Sequence, residues 1–326
     1  MPADAKPVRL ARSLLVVPAS RPEFFAKAAA GPADAVLIDL EDSVPAVDKV
    51  AARARAAEAI DAHDWGAKTV SLRVNGLATA LTVGDITAVL ERGAGRLDLV
   101  MLPKAESAAD IRFLDTLVDQ VERAAGRGRR LGLEAQIESA RGLADVHEIA
   151  AASPRLEALH FGPGDFAASA GIRSTAIGGP VAGYGVLAAD ECTDARRFHP
   201  GDIWHYATSR LVVAARAEGL RAIDGPFAAL GDGDGLAADA RRGAVQGFDG
   251  KWAIHPTQVG AINAAFAPDP DEVARARHIV AALAEAADRG SGAVALDGRM
   301  IDMASIRQAE ALIAVADRIA ATAAQG

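Results

Sequence analysis

Short apolar runs alternate with longer amphipathic segments along most of the chain. Two of the runs, AVLIDLED at Ala35–Asp42 and LDLVMLPK at Leu97–Lys104, are nearly continuous in Val, Leu and Ile. Runs of this kind predict strands that are buried on both faces, as in a parallel sheet. The eight predicted strands are Ser13–Pro18, Ala35–Asp42, Thr69–Val74, Leu97–Lys104, Leu131–Glu138, Leu156–Gly162, Leu220–Asp224 and Gly250–His255.

The segments between these strands carry apolar residues at helical spacing. The predicted helices are Pro22–Ala30, Val47–Ile60, Ala80–Arg92, Ser107–Ala125, Ala140–Ala151, Asp202–Glu218, Leu236–Gln246 and Thr257–Ala265. After the sixth strand, an irregular stretch is predicted to about Pro200. Eight β/α units in this order favour an α/β fold, the (β/α)₈ TIM barrel, over an open doubly wound sheet.

The pattern changes after Pro268. Helices are predicted over Asp271–Asp288 and Ile306–Ala321, and the small residues of Gly290–Gly298 predict a flexible connection. We therefore assign residues 9–268 to a catalytic barrel and residues 269–326 to a C-terminal helical extension. The extension is too small to be an independent catalytic domain, so we expect it to act as a lid or an oligomer contact.

Composition narrows the class of protein. Of 326 residues, 51% are apolar and 24% charged, which excludes a disordered or collagen-like chain. The formal net charge of −8 argues against a nucleic-acid partner. Cys192 is the single cysteine, Met1–Ala11 lacks a signal-peptide core, and no apolar run approaches the roughly 20 residues of a membrane helix. A cytoplasmic location without membrane attachment is the expectation.

Charged and polar residues cluster where the predicted strands end. In a barrel these ends form one face, on which catalytic groups lie. A lone acid such as Asp42 or Asp165 could equally cap the following helix. The whole set nevertheless predicts a metal site that faces an anionic substrate: Arg21, Asp39, Glu41, Asp42, Arg73, Asn75, Lys104, Glu138, Asp165, Asp224 and His255.

Two of these acids are candidates for metal ligands. Glu138 and Asp165 follow adjacent predicted strands, so their carboxylates can converge on one ion. Two carboxylates, completed by water and substrate oxygens, are typical of Mg²⁺. The sequence has no Cys/His cluster with zinc spacing. Lys104 raises the alternative of Schiff-base chemistry, but nearby acids would keep this amine protonated.

Several motifs resemble the citrate-lyase β-subunit and malyl-CoA lyase superfamily of Mg²⁺-dependent carbon–carbon lyases. They run in order through the predicted barrel: Arg12–Pro22, Asp39–Val44, Leu72–Gly76, Leu102–Lys104, Ile137–Ala140 and Phe161–Asp165. Four later segments resemble malyl-CoA/β-methylmalyl-CoA lyases in particular: Ile177–Gly179, Asp224–Phe227, Gly250–Pro256 and Asp297–Asp302.

The resemblance implies reversible aldol-type cleavage of (S)-malyl-CoA to glyoxylate and acetyl-CoA. β-Methylmalyl-CoA, which would give propionyl-CoA, is a second implied substrate, and coenzyme A enters as part of the substrate. The alternatives are a malyl-CoA thioesterase, a citrate-lyase-type or citramalyl-CoA lyase, and a non-catalytic CoA-binding protein. A homotrimer or homohexamer is also implied, with the C-terminal lid completing the active site of a neighbouring subunit.

The resemblance also assigns roles to individual residues. Glu138 and Asp165 would hold Mg²⁺, with Mn²⁺ as the alternative ion, and Arg73 would contact the oxo-acid or enolate. Asp302 would be the acid/base, although an N-cap on the last helix is an equal reading of its position. The implied substrate and CoA contacts are Val16, Arg21, Lys27, Gly164, Asp165, Ile254 and His255. The implied supporting residues around the metal waters are Glu41, Asp42 and Lys104.

Overall fold

The computed structural model describes residues 7, 9–189, 195–288, 294–296, 299–301 and 303–323. The chain divides into two compact units, Met1–Ala265 and Phe266–Gly326. In the described residues, no helix is long and apolar enough to cross a membrane.

The first unit is built on eight parallel strands that close into a barrel. The first strand, Ser13–Pro18, pairs with both the second, Ala35–Asp39, and the last, Gly250–Ala253, which excludes the open doubly wound sheet and confirms the predicted (β/α)₈ fold. The barrel strands are β1 (Ser13–Pro18), β2 (Ala35–Asp39), β3 (Thr69–Arg73), β4 (Leu99–Leu102), β5 (Gly132–Ile137), β6 (Leu156–Phe161), β9 (Arg221–Asp224) and β10 (Gly250–Ala253).

Helices follow the barrel strands, and all but the last of these helices lie between one barrel strand and the next. They are α1 (Phe25–Ala30), α2 (Lys49–Ala62), α3 (Thr82–Glu91), α4 (Ala108–Ala124), α5 (Ala140–Ala144), α6 (Val146–Ala150), α7 (Pro163–Ser169), α8 (His205–Ala217), α9 (Gly233–Gln246) and α10 (Pro256–Phe266), with short 3₁₀ helices at Pro22–Phe24 and Ala46–Asp48. α4 begins at a capping box, in which Ser107 and Asp110 each accept the other's backbone N–H.

The segment between β6 and α8 corrects the prediction of an irregular stretch. It contains α7 and an antiparallel hairpin of β7 (Gly185–Ala189) and β8 (Arg196–Pro200). Every residue of the two hairpin strands is exposed. The hairpin was missed because strands without a buried face have no need of a regular apolar pattern.

The barrel interior combines an apolar layer with a buried polar network. The apolar side chains include Leu14, Leu37, Met101, Ile223 and Trp252. The network centres on Glu134 of β5, which accepts a hydrogen bond of 2.7 Å from Ser71 Oγ. His160 Nε2 lies 3.3 Å from Glu134, and Arg221 Nη2 donates to it at 3.2 Å. These partners come from β3, β6 and β9, so the network spans the interior.

The second unit contains α11 (Pro270–Asp288), β11 (Val294–Leu296), β12 (Arg299–Ile301) and α12 (Met303–Ala323). An ion pair between Arg277 and Asp317 joins the two helices. β11 and β12 form an antiparallel pair, which corrects the prediction of a wholly flexible connection before α12. The proposed acid/base Asp302 lies outside the described residues. The role of this unit as a lid or oligomer contact stays a prediction.

Candidate active site

A pocket of about 540 Å³ opens at the carboxyl ends of the barrel strands. Seven predicted site residues line it: Val16, Asp42, Arg73, Glu138, Gly164, Asp165 and Ile254. They come from different strands and the segments directly after them, because the carboxyl ends of all parallel strands meet at one face. The lining combines charged side chains with apolar ones such as Ile177 and Pro226.

Arg73, the last residue of β3, is fixed from several directions. Its Nε and Nη2 each donate a hydrogen bond of 2.7 Å to the carboxylate of Asp39, which ends β2. Nη1 donates to Gln136 Oε1 at 3.3 Å and lies 3.3 Å from Glu41 Oε2. The guanidinium also lies 5.2 Å from the ring centroid of Trp252, a cation–π distance. A buried cation is thereby held in one orientation beside the pocket.

The charge states of Arg73 and Asp39 reinforce each other. Burial alone would raise the pKa of the Asp39 carboxyl, but the contact with Arg73 outweighs burial and lowers that pKa. Burial likewise opposes the charge of Arg73, and Asp39 and Glu41 more than compensate, so its pKa is raised. Both groups therefore stay ionised, and Arg73 cannot exchange protons with a substrate.

Lys104 connects three of the predicted site acids. Its backbone has a φ of +52°, in the left-handed region, and its N–H donates to Glu138 Oε1 at 2.9 Å. Its ammonium lies 2.6 Å from Glu41 and 2.9 Å from Asp165. Burial would lower the pKa of Lys104, but these carboxylates raise it. A protonated amine is no nucleophile, so the geometry disfavours the Schiff-base alternative.

Glu138 is the most strongly perturbed acid in the pocket. Only 3% of it is exposed, and burial raises its pKa to about 8, with Glu41 and Asp165 adding to the rise and Lys104 and Arg73 opposing it. Gln136 Nε2 donates to Glu138 Oε2 at 2.6 Å. Glu138 can occupy this position because residue 162 is a glycine: a Cβ there would lie 2.5 Å from Glu138 Oε2. The chain therefore holds a carboxylate where its charge is poorly compensated.

The donor set fits a divalent cation. Asp165 Oδ2 is buried, and its contact with Lys104 is an ion pair without hydrogen-bond geometry. Five carboxylates, of Asp39, Glu41, Asp42, Glu138 and Asp165, face the two cations of Arg73 and Lys104. The described residues contain no group of three His, Cys, Asp or Glu side chains arranged around one point. Glu138 and Asp165 could thus hold Mg²⁺ only together with water or substrate oxygens, as Mg²⁺ commonly binds.

Comparison with known proteins identifies the family of the chain. The family model described as HpcH/HpaI aldolase/citrate lyase matches residues 12–256. The chain belongs to this family. The resemblance drawn from the sequence motifs is therefore confirmed.

Individual members of the family resemble the chain over nearly its whole length. An L-malyl-CoA/beta-methylmalyl-CoA lyase of Cereibacter sphaeroides is 46% identical over 97% of this chain and 98% of its own. A malyl-CoA/beta-methylmalyl-CoA/citramalyl-CoA lyase of Chloroflexus aurantiacus is 36% identical over 88% of this chain and 82% of its own. The crystal structure of CitE from Mycobacterium tuberculosis with magnesium, acetoacetate and coenzyme A aligns with a TM-score of 0.68 at 31% identity, covering 94% of this chain and 98% of that one.

One wall of the pocket comes from the segment directly after α7, which lies within the stretch predicted to be irregular. Residues 174–177 line the pocket there. The segment is anchored by Ile177 O, which accepts from Ala228 N at 2.9 Å, and by Gly179 O, which accepts from Trp204 Nε1 at 2.7 Å. Gly178 has a φ of +76°, and a Cβ there would lie 2.5 Å from Pro226 O. Only glycine permits this close crossing of the two chains.

Three predicted CoA-contact residues do not line the pocket. Arg21 is exposed, and its Nε lies 2.6 Å from Glu23. Lys27 is exposed on α1. His255 is also exposed, and its Nδ1 lies 2.8 Å from Thr257 Oγ1. Their assignment to the CoA path stays a prediction.

Gln136, Ser43 and Trp252 line the pocket but were not singled out from the sequence. Asp39 was noted only as a strand end, yet it is the carboxylate that fixes Arg73. For Gln136 a usable signal existed, because alternate residues of a strand face the same side and Gln136 precedes Glu138 by two positions. Ser43 donates through its hydroxyl to the Asp39 carboxylate, a contact with no signature in the sequence.

Proposed function

We propose that this family member cleaves (S)-malyl-CoA reversibly to glyoxylate and acetyl-CoA in an aldol-type reaction. β-Methylmalyl-CoA, cleaved to glyoxylate and propionyl-CoA, is the second proposed substrate. The observation that carries the proposal is the convergence of Arg73, Glu138 and Asp165 on one pocket. The lyase names of relatives that align over most of the chain support it.

Glu138 and Asp165 are the proposed ligands of Mg²⁺, with Mn²⁺ as the alternative. When bound, the ion would supply Lewis-acid polarisation of the substrate oxygens. The magnesium and coenzyme A in the CitE complex support both the metal and the class of substrate. Lys104 would keep Asp165 and Glu41 in place through its ion pairs.

Arg73 is the residue that we propose to stabilise the negative charge that develops during cleavage. Cleavage moves negative charge onto the thioester oxygen of the departing acetyl-CoA as its enolate forms. A guanidinium that stays protonated stabilises such charge without transferring a proton. Because the salt bridge to Asp39 already orients Arg73, little reorganisation would accompany the reaction.

Asp302 is the proposed acid/base. In cleavage the carbinol hydroxyl loses its proton as the aldehyde of glyoxylate forms, and Asp302 would give a proton to the carbon of the enolate, so that the two transfers balance. In condensation Asp302 would remove a proton from the acetyl methyl group, and the new hydroxyl would gain one. We propose that Asp302 acts from a neighbouring subunit of a homotrimer or homohexamer in the cytoplasm. Val16 and Ile254 at the pocket, with Gly164, His255, Arg21 and Lys27, are the proposed contacts of the acyl-CoA.

Product analysis tests the reaction. The purified protein is incubated with malyl-CoA, β-methylmalyl-CoA and citramalyl-CoA, and glyoxylate, pyruvate, acyl-CoA and free CoA are measured separately. The proposal expects glyoxylate and acetyl-CoA from malyl-CoA in equal amounts, without free CoA. Release of free CoA and malate without glyoxylate would contradict it and support the thioesterase alternative.

A further inference from the structure

Gln136 occupies the space between the two charged groups on which the proposed function rests. Its amide Oε1 accepts from Arg73 Nη1 at 3.3 Å, and its Nε2 donates to Glu138 Oε2 at 2.6 Å. The residue is 3% exposed. Arg73 can only donate, so the amide oxygen of Gln136 must face it, and the amide nitrogen then faces Glu138.

This position matters because Arg73 and Glu138 are both buried beside the pocket and attract each other. The structure has ion pairs of Arg73 with Asp39 and Glu41, but none with Glu138 among its described residues. A direct pair would neutralise the charge of the Glu138 carboxylate, and it is this charge that attracts a metal cation. The amide satisfies both groups without carrying a charge of its own.

We propose that Gln136 is a positioning residue that keeps Arg73 and Glu138 apart, and so leaves the Glu138 carboxylate available to a divalent cation. The inference rests on the proposed function, because it takes Glu138 as a metal ligand. Gly162 contributes to the arrangement, since a Cβ there would lie 2.9 Å from Gln136 Nε2. Neither an apolar side chain nor a shorter amide could bridge the two groups in this way.

Mn²⁺ affinity, measured by electron paramagnetic resonance on the whole chain, tests this role. Q136M should lower the affinity about 10-fold or more, as is usual when a residue that orients a metal ligand is lost, and kcat should fall in parallel. Q246M is the matched control, because Gln246 lies on α9 and hydrogen-bonds to α8. It should bind Mn²⁺ as the wild type does.

Q136N is the second variant, because it keeps a buried amide one methylene shorter and should lower Mn²⁺ affinity in the same direction. A crystal structure of either variant should place the guanidinium of Arg73 within ion-pair distance of Glu138. Folded variants with wild-type Mn²⁺ affinity would overturn the inference and leave the proposed function intact. A wild type that binds no Mn²⁺ would overturn the proposed function, and this inference with it.

Discussion

Two buried glutamates, four residues apart at β5, have opposite electrostatic environments. Glu134 is 2% exposed and Glu138 is 3% exposed. Contacts with His160, Arg221 and Ser71 outweigh the burial of Glu134 and lower its pKa to about 2. Burial dominates at Glu138, and its pKa rises to about 8.

The difference lies in the balance of charge around each carboxylate. Glu134 faces donors and a cation in the barrel interior, whereas Glu138 shares Lys104 and Arg73 with other acids at the barrel mouth. A compensated carboxylate stabilises the fold, and a surplus of carboxylates creates a place for an external cation. We therefore expect Glu134 to stabilise the fold and Glu138 to serve the proposed metal chemistry, and variants of each should separate the two roles.

The largest expected effect is that of E138Q on turnover. Loss of a metal ligand should remove several kcal/mol of transition-state stabilisation and lower kcat by at least about 10³-fold. The melting temperature in EDTA should equal or exceed that of the wild type, because one of five crowded carboxylates is gone. Steady-state kinetics and calorimetry check the two parts. An E138Q protein with a lower melting temperature and retained turnover would show that Glu138 stabilises the fold and is not needed for the reaction.

E134Q should show the opposite profile, with Mn²⁺ affinity retained and stability reduced. The pKa of Glu134 is lower in the folded chain than its ordinary value of 4.5, so its contribution is complete above about pH 4.5 and is lost as the pH falls toward 2. This difference in pKa corresponds to about 3 kcal/mol of unfolding free energy at neutral pH. Urea unfolding of both proteins from pH 7 to pH 3 should show the gap narrowing on acidification. A gap independent of pH would contradict the account.

D302N should lower turnover by about 10²-fold or more, as expected when acid/base catalysis is lost, and should leave Mn²⁺ and CoA binding nearly unchanged. This variant would lack only the proposed acid/base, whereas E138Q would lack a proposed metal ligand. Mixed oligomers of D302N and E138A should recover part of the activity if the site spans two subunits. No recovery in verified mixed oligomers would indicate a site within one chain, and unchanged turnover in D302N would remove Asp302 from the mechanism.

The smallest expected effect is that of replacing Arg21, which contacts neither Glu134 nor Glu138. Arg21 is exposed, so its proposed contact with CoA should contribute about 1 kcal/mol, and R21A should raise KM for the acyl-CoA about 5-fold with kcat unchanged. R123A on α4 is a matched control, because Arg123 is an exposed arginine with a carboxylate partner. Equal KM values for R21A and R123A would remove Arg21 from the CoA path.

The barrel was predictable because its buried strands are continuous apolar runs. β1 was predicted with the bounds that the structure has, Ser13–Pro18. The β7–β8 hairpin was not predictable in the same way, because all of its residues are exposed. Patterns of hydrophobicity report burial, and an element without burial leaves no such pattern.

The residues of the candidate site were predictable from their positions at strand ends. The electrostatic surroundings of each carboxylate were not. Arg73, Glu138 and Asp165 were identified by their positions after strands and by the family motifs. The contrast between Glu134 and Glu138 depends on distant partners, since Arg221 lies 87 residues from Glu134 in the chain. Such contacts exist only once the barrel has closed.

Metal-dependent release of glyoxylate tests the central claim most directly. The wild-type protein is freed of metal with EDTA, transferred to buffer without chelator, and titrated with Mg²⁺ in the presence of malyl-CoA. We expect no glyoxylate without the ion and saturable recovery as Mg²⁺ is added, with E138Q inactive throughout. Glyoxylate release at an undiminished rate in the metal-free protein would contradict it.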